Sequence, residues 1–101
     1  MNKLHNDDTK RFFEAILQLQ NTEECRLFFE DICTVKEIQD ISQRLKAAKM
    51  LSEGENYTVV SKETGMSTAT ISRVNKCLGY GGGGYKLVLD RLENKEESEN
   101  E

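Results

Sequence analysis

Apolar residues recur along the chain at the three- and four-residue spacing of amphipathic helices. The first two stripes comprise Phe12, Phe13, Ile16, Leu17 and Leu19, and then Cys25, Phe28, Phe29 and Ile32. A third, longer stripe carries Ile38, Ile41, Leu45, Ala48 and Leu51. No segment reads as a strand, so the pattern predicts an all-α fold.

Residues that favour helix starts precede each of these stripes. Asp7 or Asp8 can cap the first helix,. Asn21, followed by Glu24 three residues later, is an N-cap pattern for the second helix, and Thr34–Glu37 is a capping box for the third,. The starts of three helices are therefore predicted from local sequence.

Three further helices are expected after Gly54, which is placed to end the third helix in a left-handed conformation,. A short helix is predicted at about Val59–Thr64 and another at about Thr68–Lys76. The last helix begins near Tyr85 and carries Val88, Leu89 and Leu92. The sequence thus predicts six helices.

The region after the fifth helix contains four consecutive glycines, Gly81–Gly84, which leave the backbone nearly unrestrained,. We therefore expect a loop over Leu78–Tyr85, acting as a hinge for the last helix. The acidic segment Asn94–Glu101 has no apolar residue and is expected to be disordered,. This gives one domain over residues 1–93 and a tail over 94–101.

The segment from about Thr58 to Lys76 has the pattern of a helix-turn-helix, which needs two short helices joined by a tight turn. Gly65 stands at the turn, and Ser67 or Thr68 can cap the second helix,. Ser61 is small where the helices must approach closely. Contacts between the two helices are predicted for Val60, Met66, Ile71 and Val74.

Residues on the outward side of this motif have the chemistry of DNA contacts. Hydroxyl groups bond to base edges or phosphates, Ala69 suits a thymine methyl, and Arg73 suits guanine. The predicted DNA-binding residues are Lys62, Ser67, Thr68, Ala69, Thr70, Ser72, Arg73 and Lys76. Lys62 and Lys76 are expected on phosphates. The weakest position is Thr64, where an apolar residue is usual.

The charge of the chain is unevenly distributed. The formal net charge is −4, but residues 57–92 carry five basic and two acidic residues. Phosphate affinity depends on the local field, so this excess supports a sequence-specific DNA-binding transcription regulator. Because the excess is mild, a helical module that binds other proteins stays open as the alternative. Lys62, Arg73, Lys76 and Lys86 on one face would favour DNA.

Other classes of protein find little support in the composition. The chain has no apolar run of transmembrane length and no signal-peptide core, so we expect a cytoplasmic protein. The spacing of Cys25, Cys33 and Cys77 suits neither disulfides nor zinc, so these are interpreted as core residues,. With His5 the only histidine, no catalytic set can be assembled, and we expect neither enzyme activity, a metal nor a cofactor,.

The first two helices are short and rich in phenylalanine, and their apolar stripes need covering. They either fold back onto the third helix or pair with a second copy of the chain, and we favour the second. A 101-residue chain buries only a modest fraction of its surface alone,. We therefore expect a homodimer.

A family resemblance follows from these residues. The run Ala69–Arg73, four residues after Gly65, resembles the recognition helix of the Trp repressor family. The segment from Thr34 to Glu55 resembles the preceding helix and turn, and Leu78–Tyr85 looks like the YerC/YecD branch of that family. The resemblance covers about residues 10–92. It implies an intertwined homodimer of six-helix subunits with a DNA-reading head on each side. Two symmetric heads about one DNA turn apart would call for a palindromic operator.

The resemblance also implies a place for an effector. In the Trp repressor, two arginines flank the indole of tryptophan, and threonine and serine hydroxyls hold its polar end. Thr34, Arg44 and Arg73 match three of these positions, but Cys77 replaces the serine and Val74 replaces a glycine beside the ring. Since valine fills space there, we expect L-tryptophan not to be the corepressor. Arg73 would then face DNA, and Arg44 would pair with a carboxylate.

Overall fold

Helices form from every amphipathic stripe of the chain in the computed structural model, which describes residues 3–100. They are α1 (Asp7–Ile16), α2 (Thr22–Ile32), α3 (Val35–Ser52), α4 (Tyr57–Thr64), α5 (Thr68–Tyr80) and α6 (Gly84–Asn100). These residues include no strand, and the predicted all-α, six-helix fold is confirmed. Over the same residues, no helix has the length and apolar character needed to cross a membrane.

The capping patterns of α2 and α3 form as predicted. The Asn21 side chain accepts a hydrogen bond from the backbone N–H of Glu24, at 2.9 Å. At α3, Thr34 Oγ1 accepts from the N–H of Glu37 (3.1 Å), and Glu37 Oε1 accepts from the N–H of Thr34 (2.8 Å). Hydrogen bonding from the backbone N–H of Thr34, and then from its side chain, favours the carboxylate and holds the pKa of Glu37 below its usual value,.

The starts of α1 and α4 differ from the prediction. Asn6, not Asp7 or Asp8, caps α1, because its Oδ1 accepts from the N–H of Thr9 at 2.8 Å. The two aspartates occupy the first turn instead, where negative charge favours the helix dipole,. Helix α4 starts two residues earlier than predicted, because Asn56 provides the cap through a 3.0 Å bond from the N–H of Val59.

The glycine-rich region is shorter as a loop than predicted. Helix α5 continues to Tyr80, so the loop comprises only residues 81–83 rather than Leu78–Tyr85. Leu78 packs against buried residues, which offsets the cost of Gly79 within a helix, about 1 kcal/mol. Gly54 and Gly65 both have the positive φ expected of them, 90° and 74°.

The acidic tail expected to be disordered is helical as far as Asn100. Residues 94–99 are exposed, so burial of their side chains does not stabilise this segment. Lysine and glutamate are strong helix formers, and residues 94–99 contain neither glycine nor proline, so the tail extends α6,. Met1, Asn2 and Glu101, which the predicted domain boundaries include, lie outside the described residues.

Contacts divide the chain into two units, Met1–Ile38 and Gln39–Glu101. In the first unit, phenylalanines of α1 and α2 form a cluster. Ring centroids are 6.2 Å apart for Phe12 and Phe28, and 5.6 Å apart for Phe28 and Phe29. No residue of α1 or α2 is buried in the single chain. The apolar faces of this unit therefore remain largely open.

The second unit contains the buried core. Its members are Ala47, Ala48, Val60, Ile71 and Val74, with Met50, Leu51, Met66, Leu78, Tyr85 and Leu89 packed around them. Ile41, expected on the buried face of α3, is 51% exposed. The core thus lies where α3, α4 and α5 meet, and it fixes the two short helices of the predicted motif.

The cysteines are not the core residues that the sequence indicated. Cys25 and Cys77 are exposed and Cys33 is half-buried in the single chain, and all three are free. Within the described residues, no group of three or more His, Cys, Asp or Glu side chains is placed to hold a metal ion.

Candidate nucleic-acid interface

Helices α4 and α5 are joined by a three-residue turn, Gly65-Met66-Ser67. Gly65 ends α4 in the left-handed conformation, and its N–H donates to the carbonyl of Ser61 at 2.8 Å. Ser67 then caps α5 by accepting from the N–H of Thr70 at 3.2 Å. Of the two capping candidates for α5, the structure thus selects Ser67 and leaves Thr68 as the first helical residue.

The turn is held by two hydroxyl groups of α4. Ser61 Oγ donates to the carbonyl of Met66 at 2.8 Å. Thr64 Oγ1 donates to the carbonyl of Val60 at 2.7 Å and accepts from the N–H of Met66 at 3.2 Å. An apolar residue is usual at the position of Thr64. The threonine is accommodated there because its hydroxyl is satisfied both as a donor and as an acceptor.

The predicted contacts between the two helices are confirmed by burial. Val60 and Ile71 are fully buried, Val74 is 3% exposed, and Met66 packs against them. Lys46 of α3 also reaches the end of α4, where its Nζ donates to the carbonyl of Glu63 at 3.4 Å. A lysine at a helix C-terminus is favoured by the helix dipole, so α3 supports α4 from outside the core.

The predicted DNA-binding residues, together called the outward surface, lie on α4, on α5 and in the turn between them. Seven of the eight are exposed, namely Lys62, Ser67, Thr68, Ala69, Ser72, Arg73 and Lys76. The eighth, Thr70, is half-buried, and its hydroxyl lies 3.0 Å from that of Ser67. Ser67 and Thr70 are therefore engaged in capping α5, which leaves the other six for an external partner.

The basic side chains of this surface are available for a ligand. Lys62, Arg73 and Lys76 have no hydrogen-bond or ion-pair partner among residues 3–100. Lys86 differs, because its Nζ lies 3.0 Å from Asp90 Oδ2. The surface therefore presents three free cations rather than the four considered from the sequence.

The residues matched to an effector site belong to both units of the chain. Thr34 belongs to the first unit, and its hydroxyl is used in the cap of α3. In the second unit, Arg44, Arg73 and Cys77 are exposed, whereas Val74 is packed in the core. Arg44 has no ion-pair partner among the described side chains, so the expected pairing with a carboxylate is wrong.

An open groove of about 720 Å³ adjoins the outward surface. Ser72 and Lys76 line it, together with Tyr57, Asn75, Tyr80 and Lys86. Tyr57 and Asn75 were not singled out from the sequence. The sequence does contain a signal for Asn75, since it lies seven residues after Thr68 and three after Ser72, which is the spacing of one helical face. Tyr57 lies on another helix and carries no such signal.

Comparison with known proteins agrees with this geometry. The family model described as Trp repressor protein matches residues 7–93. The uncharacterized protein YerC of Bacillus subtilis (strain 168) is 48% identical over 96 residues, which cover 95% of this chain and 92% of YerC.

Solved structures show the same similarity. The crystal structure of a TrpR-like protein from Eubacterium eligens ATCC 27750 is 48% identical, with a TM-score of 0.88 and coverage of 92% of this chain and 96% of that one. A crystal structure from Staphylococcus aureus is 49% identical, with a TM-score of 0.86 and coverage of 90% and 91%. The chain therefore belongs to the Trp repressor family of DNA-binding transcription regulators, in the branch that includes YerC.

Proposed function

We propose that the protein is a sequence-specific regulator of transcription, acting as a repressor in the cytoplasm, that reads double-stranded DNA with a helix-turn-helix made of α4 and α5. The observation that carries this proposal is the outward surface of α5, where Thr68, Ala69, Ser72 and Arg73 are exposed beside a rigid turn. In such motifs, the N-terminal part of the second helix contacts base edges in the major groove.

The individual roles follow from side-chain chemistry. Arg73 donates two hydrogen bonds to guanine, Ala69 contacts a thymine methyl, and the hydroxyls of Thr68 and Ser72 reach bases or phosphates. Lys62 and Lys76 contact phosphates on either side, which fixes the position of α5 without selecting a sequence. The overall charge of −4 does not oppose this assignment, because the free cations lie on the contacting surface,.

Replacing Lys76 with alanine should weaken binding to every duplex by about tenfold at 0.1 M salt and lower the slope of log K against log [salt] by about one, since one phosphate contact is lost. Thr68→Ala should instead change which sequences are preferred. Fluorescence anisotropy across a salt series, on duplexes selected from a random library, measures both effects.

Lys95→Ala is the matched control, because Lys95 is an exposed lysine on α6. The DNA affinity of this variant should equal that of the unmodified protein. A Lys76→Ala protein that keeps its affinity and salt slope would contradict the role of Lys76. If the unmodified protein bound no duplex at any salt concentration, the alternative of a protein-binding module would replace the proposed function.

A homodimer supports this function, and the open apolar faces favour it. Phe13, Leu17, Leu27 and Ile32 are 46–80% exposed in the single chain. Covering such area stabilises a chain by about 25 cal/mol per Å². Two symmetric heads would lie roughly 34 Å apart and read a palindromic site. Light scattering at micromolar concentration should give twice the chain mass of 11.5 kDa. A monomeric mass would contradict both the dimer and the palindrome.

L-tryptophan should neither bind to the protein nor increase the affinity of the protein for DNA. Val74, which stands where the repressor has glycine, is 3% exposed and packed against Val60 and Ile71. Close-packed side chains do not yield space at low cost. Titration calorimetry with L-tryptophan, paired with anisotropy in its presence and absence, checks this. Micromolar binding of tryptophan accompanied by tighter DNA binding would contradict the expectation.

A further inference from the structure

We propose that the groove beside α5 is a second DNA-contact site, which holds the sugar-phosphate backbone of one strand through Asn75 and Tyr57 next to Lys76. The inference rests on the proposed function and deepens it, since it assigns two neutral phosphate-binding residues to the same interface. The groove is open and has a volume of about 720 Å³.

Continuity with the base-reading surface is the first argument. Ser72 and Lys76 belong both to that surface and to the groove. Asn75 precedes Lys76 and lies one helical turn after Ser72, so it is on the flank of α5. Sugar-phosphate chains border the major groove, and a helix lying in that groove turns its flank toward them.

The donor chemistry of the groove is the second argument. Asn75 offers an amide N–H and Tyr57 a hydroxyl, and neither side chain has a hydrogen-bond partner within residues 3–100. Phosphate oxygens accept hydrogen bonds from neutral side chains as well as from lysine and arginine. An apolar protein surface would leave both donors buried and unpaired, which is unfavourable.

The charge distribution decides which end of the groove takes the phosphate. Lys76 lies unpaired on the α5 wall, whereas Lys86 on the α6 wall is neutralised by Asp90 at 3.0 Å. Glu93 lies further along α6 and also lines a smaller cavity with Glu96. A phosphate is therefore attracted to the α5 wall and repelled by the acidic part of α6.

Two variants test the site. Asn75→Ala and Tyr57→Phe should each weaken binding to all duplexes by about three- to tenfold, the effect of losing one hydrogen bond. Sequence preference and salt slope should stay unchanged, because neither side chain is charged. Asn94→Ala and Tyr85→Phe, which change the same residue types outside the groove, should bind as the unmodified protein does.

The contact can be located on the DNA with duplexes that carry one uncharged methylphosphonate at a time. The unmodified protein should lose affinity at the contacted phosphate, and Asn75→Ala should lose nothing further there. Unchanged affinity of both groove variants would overturn this site while leaving the proposed function standing. Failure of the unmodified protein to bind any duplex would overturn both. If the groove variants kept their DNA affinity but differed from the unmodified protein in molar mass by light scattering, the groove would be assigned to a protein partner and the proposal would be overturned.

Discussion

Replacing Ile71 with alanine should lower the free energy of unfolding by about 2–5 kcal/mol, as for other large-to-small changes in a packed core. Ile71 and Val60 are fully buried and are the largest such side chains in the described chain. The second unit has few buried residues, so the cavity left by Ile71 removes a large share of its contacts. Urea denaturation followed by far-UV circular dichroism measures the loss.

The conservative variant provides a graded control. Ile71→Val removes one methyl group and should lower the free energy of unfolding by about 0.5–1.5 kcal/mol. Both variants and the unmodified protein must be measured at one protein concentration, because the proposed dimer would make the free energy of unfolding depend on it. A loss below about 1 kcal/mol for Ile71→Ala would show that the core relaxes around the cavity, contrary to a close-packed interior.

Replacing Gly81 with alanine should destabilise the end of α5 and lower the free energy of unfolding by about 1–3 kcal/mol, the range for overpacked sites. A Cβ atom built on Gly81 overlaps the backbone carbonyl oxygen of Cys77. That oxygen already accepts the N–H of Gly81 at 2.9 Å, so it is fixed by the helix end. The backbone must therefore shift to admit a methyl group. Thermal and urea unfolding measure the effect.

Two neighbouring glycines provide matched controls. A Cβ on Gly79 or Gly82 meets no atom within 4 Å. Gly79 lies inside α5, so Gly79→Ala should raise the free energy of unfolding by about 0.5–1 kcal/mol through helix propensity,. Gly82→Ala should leave it within about 0.5 kcal/mol of the unmodified protein. Equal effects of alanine at 79, 81 and 82 would show that the overlap with Cys77 is not what makes Gly81 necessary.

Local patterns were sufficient to predict much of the fold. The caps at Asn21 and Thr34 act over three or four residues, so the sequence alone contains both partners of each bond. The predicted end of α5 was wrong because the contacts that decide it are tertiary rather than local. Four glycines favour a loop, but Leu78 makes tertiary contacts that extend the helix beyond Lys76. Propensity yields to packing there.

The candidate site was predicted on one helix better than across helices. Residues of α5 follow a single period, so its outward side could be read directly. Tyr57 lies eighteen positions before Asn75, and only the packing of α4 on α5 brings both to one groove. Likewise, no local rule distinguished the unpaired Lys76 from Lys86, whose charge is neutralised by Asp90.

The hydroxyl bonds of the turn have an evolutionary consequence. The side chains of Ser61 and Thr64 hydrogen-bond to the backbone of Met66, so the turn between the two helices depends on side chains of α4. On α5, the side chains of Thr68, Ala69 and Ser72 are exposed and make none of the hydrogen bonds described for that turn. Substitutions at these three positions can accumulate without loss of folding. Under the proposed function, one scaffold can thereby diversify after gene duplication, with each copy acquiring its own target sequence.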